Sequence, residues 1–362
     1  MNKRTFSLII AATILILLLV ACSNKKISDS IQDQVASTEA GVAAIQANAI
    51  VEHTLVEIPL PGGLASAAME YSGLGWYGQN LILLPQYPNG INGNKDGFLY
   101  AIGQDSLTAF LEDPSAKISV SPIPFYDAGL SNHLEGFEGF EAIVFIEDSV
   151  FLTIETHGGD PMRSFIVKGM VESTGNVVNS IKLDESSLVE LTVQNDNSNA
   201  SYEALTSDGE YIYAFFEQNG SAQNKQPYSI RLDLELKEKQ EMPLDSINYR
   251  VTDATLMDKD GSFWMVNYYF PGDTHLAVDE DPISISYGLG ESHQNNEPVE
   301  RLAKFDLTQK GIVLSDEPPI YLKLLENDEA RNWEGLAAFG DNGFLLITDK
   351  FPGSILAYLR IQ

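Results

Sequence analysis

From Val51 onward, apolar residues occur in short runs separated by Gly, Asp and Asn, and long stretches of helical periodicity are absent. Short runs of Val, Ile, Leu, Tyr and Phe bounded by such turn residues are typical of β-strands. The pattern therefore predicts an all-β domain that begins near Val51.

The runs also repeat as pairs, and five segments of the chain align with one another. Each segment starts on a polar residue, continues as an apolar strand, turns, and ends a second apolar strand on another polar residue. The two polar residues are 14 positions apart in four segments and 15 apart in the fifth. The pairs are Ser72 and Gln86, Glu141 and Glu155, Glu203 and Glu217, Asp253 and Asn267, and Glu334 and Asp349.

A turn sequence lies near the middle of each segment, as in Ser207-Asp208-Gly209 and Lys259-Asp260-Gly261. Such sequences favour tight connections between antiparallel strands. In an antiparallel hairpin, the first and last residues are side by side at the open end. The two polar residues of every pair are therefore expected to be neighbours in space.

Each predicted hairpin is followed by a third apolar run, and four of the five are followed by a fourth. The third runs are Phe98–Ile102, Ser164–Val167, Tyr228–Leu232, Leu302–Leu307 and Ile355–Ile361. The fourth runs are Ile118–Phe125, Val177–Leu183, Lys239–Leu244 and Ile320–Leu325. Prolines lie in or beside several of these fourth runs, and proline is tolerated mainly in edge strands. The fourth strand of each unit is therefore predicted to be the outermost.

Four-stranded units that recur along a chain are typical of a β-propeller, in which the units are blades around a central channel. The fifth unit lacks a fourth run because the chain ends, and Thr54–Leu60 is available to replace it. We therefore predict five blades, closed by the pairing of this N-terminal strand with Ile355–Ile361. A sixth blade in the long stretch before Glu334 is the alternative.

The N-terminal stretch has a basic start, Lys3 and Arg4, and an apolar run from Phe6 to Val20. A helix that crosses a bilayer needs about 20 apolar residues, so this run is short for a transmembrane anchor, which is the alternative. The sequence Leu19-Val20-Ala21-Cys22 resembles the lipobox of bacterial lipoproteins, in which cleavage leaves an acylated Cys22.

This resemblance implies three regions. They are a signal peptide over residues 1–21, a lipidated cysteine and polar tether over 22–50, and the propeller domain over 51–362. It also implies that acyl chains such as palmitate hold the protein to a membrane of the bacterial envelope, on the extracytoplasmic side. The outer membrane and the cell surface are the two alternative locations.

Composition narrows the function classes. The chain has 22 Lys and Arg against 51 Asp and Glu, a formal charge of −29. Nucleic-acid binding requires clusters of basic residues, so this class is excluded, whereas divalent cations match an acidic surface. A single Cys excludes a disulfide framework and a multi-cysteine zinc site. No nucleophile elbow, zinc helix or phosphate-binding loop occurs in the sequence.

The predicted hairpin ends form a candidate metal site at one mouth of the channel. Seven of the ten end positions carry a carboxylate, although only 51 of all 362 residues are acidic. Crowded carboxylates raise one another's pKa unless a cation binds, and Ca²⁺ prefers oxygen ligands. We predict calcium, ahead of Mg²⁺ or Mn²⁺, while solvated strand ends without a metal are the alternative. The predicted ligands are Glu141, Glu155, Glu203, Glu217, Asp253, Asn267, Glu334 and Asp349.

Several of the same segments resemble the phytase-like family of secreted propeller domains. The resemblance rests on Asn332-Trp333-Glu334-Gly335-Leu336, on Ile347-Thr348-Asp349-Lys350-Phe351-Pro352-Gly353, and on Tyr71-Ser72-Gly73-Leu74 with Leu84-Pro85-Gln86-Tyr87-Pro88. It covers most of residues 51–362. It implies a propeller fold and hydrolysis of phosphate esters.

In such a reaction, a metal would bind the phosphoryl oxygens of a small anionic substrate and activate water. Candidate catalytic donors are His157 and Arg163 in the loop after Glu155, and Lys350 after Asp349. The alternative is that each of these three residues is an exposed loop residue with no role in catalysis. A non-catalytic ligand- or protein-binding propeller and a lactonase-like hydrolase of sugar acids are the competing functions. A monomer is expected.

Overall fold

The computed structural model describes residues 50–90, 97–157, 162–197, 199–326, 329–341 and 343–361. The predicted signal peptide, Cys22 and most of the tether lie outside these residues. No helix in the described ranges is long and apolar enough to cross a membrane.

Two short strands, β1 (Glu52–His53) and β2 (Val56–Ile58), precede the first of five antiparallel groups. The first group consists of β3 (Tyr71–Tyr77), β4 (Asn80–Pro85), β5 (Gly97–Gly103) and β6 (Val120–Tyr126). The second consists of β7 (Phe137–Ile146), β8 (Ser149–Thr156), β9 (Arg163–Thr174) and β10 (Val177–Leu183), and β11 (Val189–Leu191) also pairs with β9.

The third group consists of β12 (Tyr202–Ser207), β13 (Tyr211–Phe216), β14 (Tyr228–Asp233) and β15 (Lys239–Pro243). The fourth consists of β16 (Arg250–Ala254), β17 (Ser262–Tyr269), β18 (Val299–Thr308), β19 (Gly311–Leu314) and β20 (Ile320–Leu322). The fifth consists of β21 (Trp333–Ala338), β22 (Gly343–Thr348) and β23 (Leu356–Arg360).

The described helices are short and lie between strands. They are α1 (Gln104–Glu112), α2 (Leu130–His133) and α3 (Pro282–Tyr287). Single 3-10 turns occur at Gly62–Ala65, Ala67–Met69, Glu185–Ser187, Thr274–Leu276 and Ser292–Gln294.

The first strands of the five groups form a closed ring, which confirms the predicted propeller. β3 contacts β7, β7 contacts β12, β12 contacts β16, β16 contacts β21, and β21 contacts β3. Apolar side chains fill the space between adjacent groups, as where Leu83 of β4 packs in one cluster with Leu345 of β22. Because the second strands are buried on both faces, their sequences are continuous apolar runs rather than alternating ones.

The N-terminal strand closes the ring as predicted. β2 pairs antiparallel with β23, and Val56, Glu57 and Ile58 lie opposite Tyr358, Ala357 and Leu356. The last group thereby gains its fourth strand from the start of the domain. In the described residues between β18 and β21, the chain forms β19 and β20 rather than another four-stranded group.

The fourth strand is the outermost of its own group in the first three groups, as predicted, whereas β20 of the fourth group has a further strand beyond it. β1 pairs in parallel with β20, with Glu52 opposite Tyr321, so β20 is covered. β6 and β10 pair in parallel with each other, with Phe125 opposite Ile181, so the outer edges of two adjacent groups are joined. Proline beside a strand does not prevent pairing at the positions that keep their N–H groups, and covered edges avoid association with other chains.

Candidate functional site

A β-bulge interrupts the first strand of every group and holds the first polar residue of each predicted pair. The register shifts lie between Tyr71 and Gly73, Phe140 and Ile143, Tyr202 and Ala204, Val251 and Ala254, and Trp333 and Gly335. A bulge bends the strand and redirects a side chain away from the regular ladder. The residues in the bulges include Ser72, Glu141, Glu203, Asp253 and Glu334.

These bulges change the predicted pairing. The N–H of Gln86 donates to the carbonyl of Glu70, two residues before Ser72, and Glu155 lies opposite Gly139 rather than Glu141. Relative to the predicted pairing, the turn shifts the partner of each residue by one position, and the extra residue in the bulge shifts it by one more. The spacing of polar residues along the chain predicts neither shift. The paired polar residues are therefore not directly opposite each other, although most of their side chains still reach one cavity.

That cavity, hereafter the mouth cavity, has a volume of about 250 Å³ and receives residues from all five groups. Small-molecule sites in proteins are about 300 to 1,000 Å³, so the mouth cavity is slightly smaller than that class. It contains six of the eight predicted metal ligands, together with Ser72 and Gln86. The six are Glu141, Glu155, Glu203, Glu217, Glu334 and Asp349.

The other two predicted ligands do not line the mouth cavity. Asp253 is buried and accepts hydrogen bonds from the backbone N–H groups of Ala254, Leu336 and Leu74, at 2.8, 2.7 and 3.3 Å. Asn267 donates to two backbone carbonyls and accepts a hydrogen bond from Arg301. Both side chains form hydrogen bonds within the protein. Contrary to the prediction, they do not lie beside the other six residues in the mouth cavity.

Arg250, which the sequence analysis did not single out, is a basic group in the mouth cavity. Its Nη1 donates to Glu217 Oε1 and its Nε donates to Asp273 Oδ2 at 2.7 Å. The side chain is 10% exposed. Arg250 is the first residue of its strand and has no equivalent in the repeated pattern of polar residues. Its position in the cavity is therefore visible only in the folded structure.

The three predicted catalytic donors lie in different surroundings. Lys350 lines the mouth cavity and forms an ion pair with Glu70 at 2.9 Å. Arg163 is half exposed and forms an ion pair with Glu190 at 2.8 Å, and His157 is exposed. Neither Arg163 nor His157 lines the mouth cavity.

Burial dominates the electrostatics of the mouth cavity. It raises the pKa of Glu141 to about 8, with further increases from nearby Glu217, Glu138 and Glu70 and a decrease from the hydrogen bond that Gln86 donates. Burial also raises the pKa values of five further acids of the cavity, and neighbouring carboxylates add to the effect for most of them. These five acids are Glu155, Glu203, Glu217, Glu334 and Asp349.

One buried oxygen in this cluster has no donor. Glu217 Oε2 has no hydrogen-bond partner among the described residues, although Oε1 accepts from Arg250. Burial raises the pKa of Glu217, whereas Arg250 lowers it. Burial and the neighbouring Glu217 carboxylate also raise the pKa of Glu203. A proton or a cation would therefore stabilise the Glu203–Glu217 pair.

The donor set suits a hard cation in chemical type, since carboxylate and amide oxygens are the ligands that Ca²⁺ prefers. In the described part of the chain, however, no group of three or more His, Cys, Asp or Glu side chains is arranged so that it could hold a metal ion. Ligation of one ion by three acids therefore requires rotation of side chains around the cavity.

No family model and no curated protein matches the chain, so its resemblance to the phytase-like family stays a prediction. Among solved structures, glutaminyl cyclase from Myxococcus xanthus is similar at 9% identity and a TM-score of 0.44, over 86% of this chain and 99% of that one. The GH43_1 enzyme from Xanthomonas citri complexed with xylotriose is similar at 10% identity and a TM-score of 0.46, over 88% and 92%.

An exo-1,5-alpha-L-arabinanase from a bovine ruminal metagenomic library is similar at 8% identity and a TM-score of 0.45, over 84% of this chain and 96% of that one. At identities and TM-scores this low, the similarities carry no information about what this chain binds or hydrolyses.

Proposed function

We propose that the chain is an extracytoplasmic hydrolase that acts in the mouth cavity, requires a divalent cation, with calcium first, and cleaves phosphate esters. The observation that carries the proposal is the convergence of seven carboxylates on one cavity in which the buried Glu217 Oε2 lacks a donor. Clustered buried carboxylates destabilise one another unless protons or cations compensate them.

Glu203 and Glu217, with Glu155 and Glu334 beside them, are the residues that would hold the cation. When bound, such a cation would neutralise phosphoryl oxygens and lower the pKa of a water molecule. Magnesium and manganese are weaker candidates, because both prefer more regular coordination than the variable oxygen shell of calcium. The phytase-like resemblance supports the same substrate class.

The chain's own residues support hydrolysis in two ways. Gln86 Nε2 donates to Glu141 Oε1 at 3.1 Å and Tyr268 donates to Glu334 Oε1 at 3.0 Å, so both carboxyl groups are held in place. Glu141, with its pKa raised to about 8 by burial, carries a proton at neutral pH. As water attacks phosphorus and the ester P–O bond breaks, this carboxyl can donate its proton to the departing alcohol.

A binding propeller without catalysis is the second candidate, and a specific observation favours it. Both basic side chains that line the mouth cavity, Arg250 and Lys350, already form ion pairs. A lactonase-like hydrolase remains a third candidate, because the cavity acids could also act on a neutral ester.

The first test measures the melting temperature of the full chain in chelator and in saturating calcium, at pH 5.5 and pH 8. Six of the cavity acids have raised pKa values, so between about pH 4.5 and 8 the cation-free folded state binds more protons than the unfolded state. Stability in chelator should therefore fall as pH rises through that window. Calcium should raise the melting temperature, most strongly at pH 8.

Glu334→Gln and the exposed Glu185→Gln form the matched pair for this test. Glu334→Gln should reduce the calcium-dependent shift, and Glu185→Gln should leave it intact. A Glu334→Gln protein that melts higher than wild type in saturating calcium would contradict the cation site. Phosphomonoester and lactone substrates should be assayed on the same samples, and turnover of phosphomonoesters that persists in chelator would contradict the proposed cation requirement.

We also propose that Cys22 carries the lipid anchor that holds this hydrolase at the envelope surface. The support is the lipobox-like sequence around Ala21 and the short preceding apolar run.

A further inference from the structure

Arg250 occupies an unusual position among the basic residues of the described chain, because it is buried and also lines the mouth cavity. Its side chain is 10% exposed, whereas that of Lys350, the other basic residue of the cavity, is 42% exposed. Interactions of a buried charge are screened less by water than those of an exposed one. Arg250 is therefore the stronger candidate for contact with an anionic ligand.

Two carboxylates hold the Arg250 guanidinium through two different nitrogens. Glu217 accepts from Nη1 and Asp273 accepts from Nε, and Asp273 lies in the loop that follows β17. Neighbouring N–H groups of a guanidinium form a planar fork whose direction is set once two of them are bound. The arginine is thus positioned before any ligand arrives.

The remaining Nη2 amino group has no hydrogen-bond partner among the described residues, although Arg250 lines the cavity. The other buried arginines differ. Arg301 bonds to Asp281, Asn267 and Tyr321 and is fully buried, and Arg331 uses Nε and Nη2 on Glu300 and the Lys323 carbonyl. Arg331 Nη1 also has no hydrogen-bond partner among the described residues, but Arg331 lines a different pocket. Of these three arginines, Arg250 alone presents an unused donor group at the mouth cavity.

We propose that Arg250 Nη2 binds an oxygen of an anionic ligand in the mouth cavity, which is a phosphoryl oxygen in the reaction proposed above. This inference deepens the proposed function and assigns substrate contact to a residue other than His157, Arg163 and Lys350. Asp273 acts through Arg250 and is a positioning residue.

The test is binding of inorganic phosphate to the full chain in detergent, in saturating calcium, by isothermal titration calorimetry. Wild type should bind phosphate. Arg250→Lys keeps the charge but loses the fork, and it should weaken binding at least tenfold. Arg163→Lys makes the same change outside the cavity, beside Glu190, and should stay within twofold of wild type.

If Arg250→Lys does not fold, the double variant Arg250→Gln with Asp273→Asn removes both charges of one ion pair together, keeps the proposed cation ligands and should also lose phosphate binding. Wild type that does not bind phosphate, or an Arg250→Lys protein that binds it as tightly as wild type, would overturn the inference. Phosphate binding can be measured without catalysis. If the chain binds phosphate through Arg250 but hydrolyses no ester, this inference is supported and the proposed hydrolase function is contradicted.

Discussion

At the scale of single residues, Asp253 illustrates how a buried carboxylate can serve the fold instead of a ligand. Its three backbone donors, Leu74, Ala254 and Leu336, belong to the first, fourth and fifth strand groups. Burial raises its pKa, and the three hydrogen bonds partly oppose that rise. A carboxylate in the centre of the ring therefore connects the first strands of three groups.

We predict that Asp253→Ala lowers the free energy of unfolding by about 2 to 4 kcal/mol, because buried N–H groups lose their acceptor. Chemical denaturation of the full chain measures this change. The exposed Asp258 also accepts from two backbone N–H groups, those of Asp260 and Ser262, and Asp258→Ala is the matched control. Water replaces its contacts, so the cost there should stay below about 1 kcal/mol. Equal losses in the two variants would contradict the assigned role of Asp253.

At the scale of elements, the repeated bulge accounts for how five similar hairpins direct polar side chains into one cavity. A regular strand would place Glu203 or Glu334 in alternation with its apolar neighbours, against an adjacent blade. Because Glu203 and Glu334 lie in bulges, their side chains do not follow this alternation and can enter the cavity. Cross-blade hydrogen bonds accompany the bulges, as where Ser72 donates to the Phe140 carbonyl and Thr252 to the Trp333 carbonyl.

The N-terminal strand is the second element on which the architecture depends. β2 covers β23, and its buried Ile58 packs in the cluster between the fifth and first groups. β1 is held separately, because Glu52 accepts hydrogen bonds from Ser292 and His293. The start of the domain thus binds to two adjacent groups.

We predict that deleting residues 54–60 exposes the edge of β23 and makes the chain, which we expect to be a monomer, associate. An unpaired strand edge is a template for pairing with another chain. Analytical ultracentrifugation of the variant and wild type measures the effect, and deletion of seven residues from the predicted tether, 30–36, is the control. A variant that stays monomeric and melts as wild type does would show that β2 is dispensable for closure.

At the scale of the whole molecule, the formal charge of −29 and the predicted lipid anchor bear on where the protein works. An acidic surface repels anionic lipids, so electrostatics would not hold the domain against a membrane. Attachment would then depend on the covalent anchor alone.

Cys22→Ala is expected to block both processing and acylation, because the modified thiol would be missing. In the bacterial host, the variant should migrate as the uncleaved precursor and fail to incorporate labelled palmitate. Cys22→Ser gives the same loss with less change in size and polarity. A Cys22→Ala protein that is cleaved and fractionates with membranes as wild type does would contradict lipid anchoring.

Much of the fold follows from local sequence. Apolar runs of strand length, turn residues such as Asp208 and Gly209, and the repeat of the hairpin predict an all-β propeller, because strand and turn preferences act over a few residues. The end of the chain after a third strand, with an unpaired run at Thr54–Leu60, also predicts the closure.

The composition of the mouth cavity was predictable to the same extent, since carboxylates recur at equivalent ends of the hairpins. Six of eight predicted ligands meet there. Asp253 and Asn267 depart from the pattern because their partners, Leu74, Leu336 and Arg301, come from distant parts of the chain.

The sequence by itself determined the strands, their repeat and the acidic character of one end of the ring, because each depends on residues that are close along the chain. Only the tertiary structure decided the bulged register, the coverage of β20 by β1, and the place of Arg250 between Glu217 and Asp273. A bulge is set by packing against the neighbouring blade, and a buried ion pair by which loops meet across the ring. Both depend on contacts between residues far apart in sequence, for which local preference carries no signal.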